Sequence, residues 1–352
     1  LVAIRQATGW PHVLGTNYAK NPERHVVDIV DDLVAGGFIT IGQVALQTVD
    51  RTTLKAVNRS NIAPERYDEL LRAFDRLGLP VQTDLMMGLP GATPASFRTD
   101  LQHVIDSDVH AIVARTKVLR NSPMNEPAYR DRHRILMAGD AFIVATASFG
   151  VAEMDEMIAD HSIFFAGDDL GTLRVVARFV RHRTGEPEID VLRRMAQVGA
   201  DRPARYPTVS WVLRALARWA VEPVSWSAFL DEVRALVVAE WYLPDDSALD
   251  AAIVAQEALL PAFGRSFPHT APLPHDVPTW FNDLKAVRRE DGDWATVPDL
   301  GDYEAALLTV DDPHRVCDLA MGDLGLMGRT PVWDLDSTLN RPAPSGLLVT
   351  AG

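Results

Sequence analysis

The sequence predicts an α/β protein: a partial (β/α) barrel followed by a mostly helical C-terminal domain. Through about residue 120, short apolar runs alternate with amphipathic stretches, the signature of repeated βα units and a parallel sheet. Beyond residue 138 the apolar spacing becomes helical, and Trp211, Trp219, Trp226 and Trp241 fall among apolar residues at that spacing. These tryptophans read as a helical core rather than a stacking surface for a ligand. A chain of 352 residues, 47% hydrophobic and 23% charged, is long enough for two domains with separate cores. The expected division is 1–138 for the barrel part, 139–260 for the helical domain and 261–352 for an irregular tail rich in Pro, Gly and Asp that packs on it. Periodicity alone fits an open doubly wound sheet almost as well as a barrel.

The elements follow in order. Residues 12–17 read as a strand. Asn21 before Pro22 is an N-cap with proline at the first helical position, and Val26, Val27, Ile29, Val30 and Leu33 carry the helix to a stop at Gly36 and Gly37. Residues 38–48 form the next strand and 50–57 a short helix. In 64–77, Leu70, Leu71, Phe74 and Leu77 share one helical face, and Gly78 ends the helix. A third strand, 81–87, closes on Gly88-Leu89-Pro90-Gly91; Thr93-Pro94 opens a helix to Ser107, and 111–117 is the fourth strand. Helices are expected near 171–182, 208–220 and 227–241.

Composition removes several classes of function. The formal charge is −14, with 34 basic against 48 acidic residues and no dense Lys/Arg stripe, which argues against a nucleic-acid backbone as partner. No apolar run is long enough to span a membrane, and the first residues lack the regions of a signal peptide. The lone cysteine, Cys317, excludes an internal disulfide and any multi-cysteine metal site within the chain, and suits a reducing cytoplasm. The ten histidines show no metal-ligand spacing, so no metal-binding residue is expected. No GxGxxG, GxxxxGK, GxSxG or HExxH motif occurs. Leu1 stands where Met is expected and leads straight into patterned sequence, as if the true beginning lay upstream.

Parallel barrels and sheets assemble their sites at the carboxyl ends of strands, which singles out Asn17, Gln47-Thr48, Gly88 and 115–117. Period-two geometry puts Gln43, Ala45 and Gln47 on one strand face, where polar groups need partners from neighbouring strands or from a ligand. Asp84 lies mid-strand, where an ionised carboxylate is costly unless paired or hydrogen-bonded; an ion pair with Arg115 or Lys117 is the structural alternative to a ligand role. Gly88 and Gly91 allow a backbone to approach a ligand closely, or simply make a tight turn.

Taken together, Gln47-Thr48, the run from Asp50 to Arg59, Gly78-Leu79-Pro80-Val81 and the run from Asp84 to Thr93 resemble the second half of a radical S-adenosylmethionine (SAM) barrel. The likeness is to the group with an amino-terminal cobalamin-binding domain. There, Thr8-Gly9-Trp10-Pro11 and the run from Asn17 to Asn21 resemble the third-strand region, and the run from Val118 to Met124 resembles the sixth-strand exit, followed by Pro127-Ala128-Tyr129-Arg130. The resemblance covers roughly residues 8–150. It implies that the four strands are the third to sixth of a six-stranded partial barrel. It further implies that the backbone at Gly88 and the Met86 side chain flank the SAM adenine, and that Gln47 and Thr48 lie near its ribose or amino-acid part. Asn17, Gln47, Thr48, Asp84, Met86 and Gly88 are the cofactor-binding candidates; no catalytic residue is assigned.

The resemblance also implies a four-iron, four-sulfur (4Fe-4S) cluster on a CxxxCxxC loop and a cobalamin domain, both upstream of this chain, and an electron donor such as flavodoxin or ferredoxin. The substrate expected is a small molecule or natural product, and with cobalamin the reaction expected is methyl transfer. The chain departs from the family at Ala92, where Glu is usual after Gly-Leu-Pro-Gly, and in having no CxxxCxxC loop, so it is expected to be inactive as given. Two other classes stay open: a lyase or aldolase-like barrel using Lys117 as a Schiff-base amine, and a cluster-free binding module.

Overall fold

The computed structural model describes residues 1–11, 14, 26–38, 42–59, 64–76, 81–169, 171–215, 225–260, 266, 268–289, 292–311 and 348–351. Apart from Leu14, the expected strand at 12–17, with Asn17 in it, and the Asn21-Pro22 helix start lie outside these residues. The chain divides into two compact units, Leu1–Ile158 and Ala159–Gly352.

In the first unit, β1 (Gly42–Gln43), β2 (Val81–Met87) and β3 (His110–Arg115) form a sheet in sequence order, every pairing parallel. Helices α3 (Arg51–Ala56) and α4 (Pro64–Arg76) connect β1 to β2, and α5 (Pro94–Ser107) connects β2 to β3. Two further helices, α1 (Val2–Thr8) and α2 (Val26–Ala35), precede them; the sequence reading placed no helix at the first. The α5 start is set by residue type. Thr93 accepts from the Ser96 amide, Ser96 reciprocates to the Thr93 amide, and Pro94 occupies the first turn, where no intrahelical donor is needed.

The two sheet faces differ. On one, Thr83, Leu85 and Met87 are buried, in phase with the apolar stripe of Phe97, Leu101, Val104 and Ile105 on α5. On the other, the register sets Gln82, Asp84 and Met86 beside His110, Ile112 and Ala114. That face is open toward its carboxyl end: Asp84 and Met86 are half-buried, Ala114 is exposed, and Ile112 is 46% exposed. Parallel sheets are ordinarily covered on both faces; among the described residues of the first unit, nothing covers this face at Ile112.

Three parallel strands bear out the α/β class and the βα connections, but they do not by themselves establish a barrel arc. Within the long strand expected at 38–48, residues 39–41 lie outside the described residues, and the rest hold a short β1 and then a single bridge at Gln47. The two are separated by a slip in pairing: Gln43 pairs with Gln82, whereas Gln47 pairs with Leu85, so one extra residue is taken up between them. The fourth strand continues differently too. Past β3 the chain pairs antiparallel with a hairpin, β4 (Leu136–Ala138) and β5 (Phe142–Ala145), through the Lys117–Phe142 bridge. Helix α6 (Pro127–His133) lies between. The sequence reading expected few strands beyond residue 138; the hairpin turns on left-handed Gly139 and Ala141, and its strands are only three and four residues long.

Helix α7 (Val151–Phe164) crosses the division between the units. The second unit holds α8 (Arg174–Thr184), α9 (Glu188–Asp201), α10 (Pro207–Ala215), α11 (Trp226–Trp241) and α12 (Ser247–Leu259) around a core that includes Phe179, Leu192, Met195, Phe229, Leu236 and Trp280. Trp241 is buried in that core, and Trp211 and Trp226 pack against it, as helical spacing predicts; Trp219 lies outside the described residues. Regular structure also occupies part of 261–352: β6 (His269–Leu273), α13 (Val277–Arg289), β7 (Ala306–Asp311) and β8 (Leu348–Ala351), the strands pairing antiparallel in that order. Pro272 sits in β6, an edge strand, where a missing amide donor is tolerated. Proline content therefore made this stretch read as irregular.

Candidate functional site

Two strand exits lie side by side in the first unit. At the first, the Gln47 amide donates to the Asp84 carbonyl at 2.6 Å and the Met86 amide donates to the Gln47 carbonyl at 2.8 Å. Gln47 adopts a left-handed φ of 68°, a conformation disfavoured for a residue with a Cβ. Before it the burial alternates: Val44, Leu46 and Thr48 are buried, while Ala45 and Gln47 are half-buried. The chain then enters α3, whose N-cap Asp50 accepts from the Thr53 amide at 2.7 Å and the Thr53 hydroxyl at 2.6 Å.

The second exit is the Gly88-Leu89-Pro90-Gly91 turn. Gly88 has φ 82°, and a Cβ there would lie 3.2 Å from the Met154 sulfur. Gly91 has φ 95°, and a Cβ there would meet Ala56 Cβ at 3.0 Å and Thr53 Cα at 3.1 Å, so this turn is pressed directly onto α3. Other atoms fix it further. Ser148 Oγ accepts from the Gly91 amide at 3.0 Å, and the Thr116 amide and hydroxyl both donate to the Met87 carbonyl, at 2.9 and 2.8 Å. Tyr129 donates from its hydroxyl to the Ala56 carbonyl at 3.0 Å, closing the last turn of α3.

Of the sequence candidates, Gln47, Thr48, Asp84, Met86 and Gly88 thus belong to two adjoining strand exits, and Asn17 lies outside the described residues. They present different groups. Asp84 and Met86 share the half-open sheet face, whereas the buried Thr48 hydroxyl donates to Asp100 Oδ1 at 3.1 Å. Sequence reading missed Asp100. It lies three residues after Phe97 and four before Val104, in phase with the buried face of α5, and is itself buried. Its Oδ1 also accepts from the Val49 amide at 2.7 Å, and burial pushes its carboxyl up to about 7 against those hydrogen bonds. A carboxylate inside an apolar helix stripe was the signal that could have found it.

Arg115 and Lys117 are exposed, with the guanidinium and ammonium 5.2 and 5.3 Å from the centroid of the Phe142 ring. A Schiff-base amine is usually activated by desolvation, and an exposed Lys117 does not meet that condition. Among the described residues, no group of three or more His, Cys, Asp or Glu could hold a metal ion, and Cys317 lies outside them. No helix among them is long and apolar enough to cross a membrane.

No protein-family model matches the sequence. Over 129 residues, 36% of the chain, it is 29% identical to the 2-(S-pantetheinyl)-carbapenam-3-carboxylate methyltransferase of Streptantibioticus cattleyicolor. Over the same length it is 28% identical to the cobalamin-dependent radical SAM methyltransferase TokK of Streptomyces tokunonensis. Each match spans 19% of the relative, so the chain covers about a fifth of the length of the curated proteins it matches. Among solved structures, coproporphyrinogen III oxidase (HemN) of Escherichia coli, described as a radical SAM enzyme, is 20% identical with a TM-score of 0.29, covering 44% of this chain and 31% of that one. A superposition at that score does not establish a shared topology. Both relatives are methyltransferases by name, and the resemblance to a cobalamin-dependent radical SAM methyltransferase stands on TokK.

Proposed function

We propose that this chain is part of a radical SAM enzyme, that its first unit is the later half of the SAM-binding barrel, and that the parent protein transfers a methyl group to a small molecule or natural product with the help of cobalamin. The observation that carries the reading is the half-open parallel sheet face, with Asp84 and Met86 on it and the left-handed Gly88 at its carboxyl end. Ligands of parallel sheets bind beyond the carboxyl ends of the strands. Both relatives are methyltransferases by name, which supports methyl transfer as the reaction class.

SAM fits the residues present. Gly88 turns the chain at the strand end with a left-handed φ, packed against Met154 and Phe149; Met86 offers an apolar surface on the open face for an adenine ring, and Asp84 offers acceptors for a ribose or amino group. Gln47, half-buried at the neighbouring exit, is assigned to the same ligand. Thr48 supports that exit from beneath, since its hydroxyl is directed to Asp100. The 4Fe-4S cluster does not fit the donor set of this chain: thiolates hold such clusters, and the sequence contains only Cys317. The chain by itself is assigned binding and orientation of SAM, without its reductive cleavage. Electrons reach the parent enzyme from a donor such as flavodoxin or ferredoxin.

Saturation-transfer NMR of SAM with this chain tests the reading. The adenine protons should saturate more strongly than the methionine protons, and Gly88→Val should abolish the signal. Absence of adenine saturation at about 1 mM SAM, the upper end of ordinary enzyme affinities, from a chain shown to be folded would contradict it. Borohydride trapping of a carbonyl compound on Lys117 would instead favour the lyase.

A further inference from the structure

The strand exit at Gln47 is held from below by a group on another element. Asp100 belongs to α5, the helix that follows the Gly-Leu-Pro-Gly turn, and is 3% exposed. Its Oδ1 accepts from the Thr48 hydroxyl at 3.1 Å and the Val49 amide at 2.7 Å, and the Thr48 oxygen in turn accepts from the Asp50 amide at 3.0 Å. Asp50 then caps α3, against which Gly91 is packed. One buried oxygen therefore ties the first strand exit to the helix launched by the second. A buried polar group in an apolar helix stripe costs stability unless it is satisfied; a hydrophobic residue at position 100 would fill the same stripe but leave the Thr48 hydroxyl and the Val49 amide without this acceptor. The two hydrogen bonds that Asp100 accepts from consecutive residues of the strand exit point to a role in placing that segment.

We infer that Asp100 is a positioning residue: as a buried hydrogen-bond acceptor on α5 it fixes the backbone at Thr48 and Val49, and through it the placement of Gln47 beside the Gly88 exit. The part of this inference that concerns SAM rests on the function proposed above. Asp100 does not touch the ligand. It acts on the exit whose neighbouring residue Gln47 is assigned to it. Because Oδ1 does the accepting, the amide oxygen of asparagine can replace it, whereas alanine cannot.

The test combines amide hydrogen exchange with the SAM saturation-transfer signal, on the whole chain and on Asp100→Ala, Asp100→Asn and Thr48→Val. Asp100→Ala should speed exchange of the Val49 amide about tenfold, the equivalent of one net hydrogen bond, and should weaken the adenine signal while the chain stays cooperatively folded. Asp100→Asn should restore both readouts to near wild type. Thr48→Val should leave the Val49 amide protected, because its acceptor is Asp100. Unchanged Val49 protection in Asp100→Ala overturns the inference, as does equal loss of protection in Asp100→Asn. Should Asp100→Ala not fold, Asp100→Asn and Thr48→Val still decide the matter through Val49. If wild type gives no adenine signal, the SAM reading fails while the amide arm still stands or falls on its own.

Discussion

The backbone of Gln47 is bonded to Asp84 across the sheet: the Gln47 amide donates to the Asp84 carbonyl at 2.6 Å while Gln47 holds a left-handed φ of 68°. Two residues selected in the sequence for their side chains are thus joined through their main chains. A left-handed residue with a Cβ costs about 1–2 kcal/mol, a cost glycine does not bear. Gln47→Gly is expected to raise stability by about 1 kcal/mol in urea denaturation and to weaken the SAM saturation signal, because the side chain assigned to the ligand is gone. A stabilised variant with undiminished binding would remove Gln47 from the site.

Gly88 and Gly91 should not be equally intolerant of a side chain. Both have positive φ, but a Cβ at Gly91 meets helix α3 at Thr53 Cα and Ala56 Cβ, whereas one at Gly88 meets the flexible end of Met154. Overpacking costs about 1–3 kcal/mol where neighbours cannot yield. Gly91→Ala is therefore expected to destabilise more than Gly88→Ala. In a Met154→Ala background, Gly88→Ala should cost less than it does in wild type while Gly91→Ala should cost the same, as read from double-mutant cycles of denaturation midpoints.

The carboxyl of Asp100 is raised from 3.8 to about 7, chiefly by burial. A carboxyl whose pKa is higher in the folded than in the unfolded state contributes stability that is fully present below about 4 and is lost as pH rises through about 7. The stability of wild type relative to Asp100→Asn is therefore expected to fall between pH 4 and pH 7.5, since the amide does not titrate. Urea midpoints of the two proteins across that range provide the check; parallel curves would show that Asp100 titrates as an ordinary exposed carboxylate.

In the second unit, Glu188 is buried between Arg178 and Arg181, with Arg178 Nε at 3.3 Å and Arg181 bonded to the other carboxylate oxygen. Arg178 also lies 4.3 Å from the Phe281 ring centroid, and Arg181 4.0 Å from that of Trp294. Removing one member of a buried charged group leaves the others uncompensated, at about 3–5 kcal/mol. Glu188→Ala should cost that much. Combining Glu188→Leu with Arg178→Met should cost less than the sum of the single changes, the signature of coupled sites.

Elements with strong local signals were legible in the sequence. The Thr93-Pro94 cap marked the start of α5, the Gly-Leu-Pro-Gly turn marked the end of β2, and helical apolar spacing placed α8, α11 and the start of α10 to within a few residues, the expected end of α10 lying outside the described residues. What escaped depends on contacts distant in sequence. The pairing slip at Gln47 exists only relative to β2, the hairpin at β4 and β5 has too few residues for a period to show, and β6 hides behind Pro272 at a sheet edge. Among site residues, Thr48 was selected by its place at a strand end, but its hydroxyl faces a carboxyl 52 positions away in sequence. Asp100 was passed over because a charged residue within a helix ordinarily faces solvent.

Anaerobic assay of the protein at its full encoded length tests membership of a radical SAM enzyme most directly. After reconstitution with iron and sulfide and reduction by dithionite, it should release 5′-deoxyadenosine from SAM, whereas the 352-residue chain alone, having only Cys317, should bind no stoichiometric cluster and release none. Deoxyadenosine from the chain alone would contradict the account of the cluster, and none from the full-length protein at complete cluster occupancy would contradict the radical SAM assignment itself.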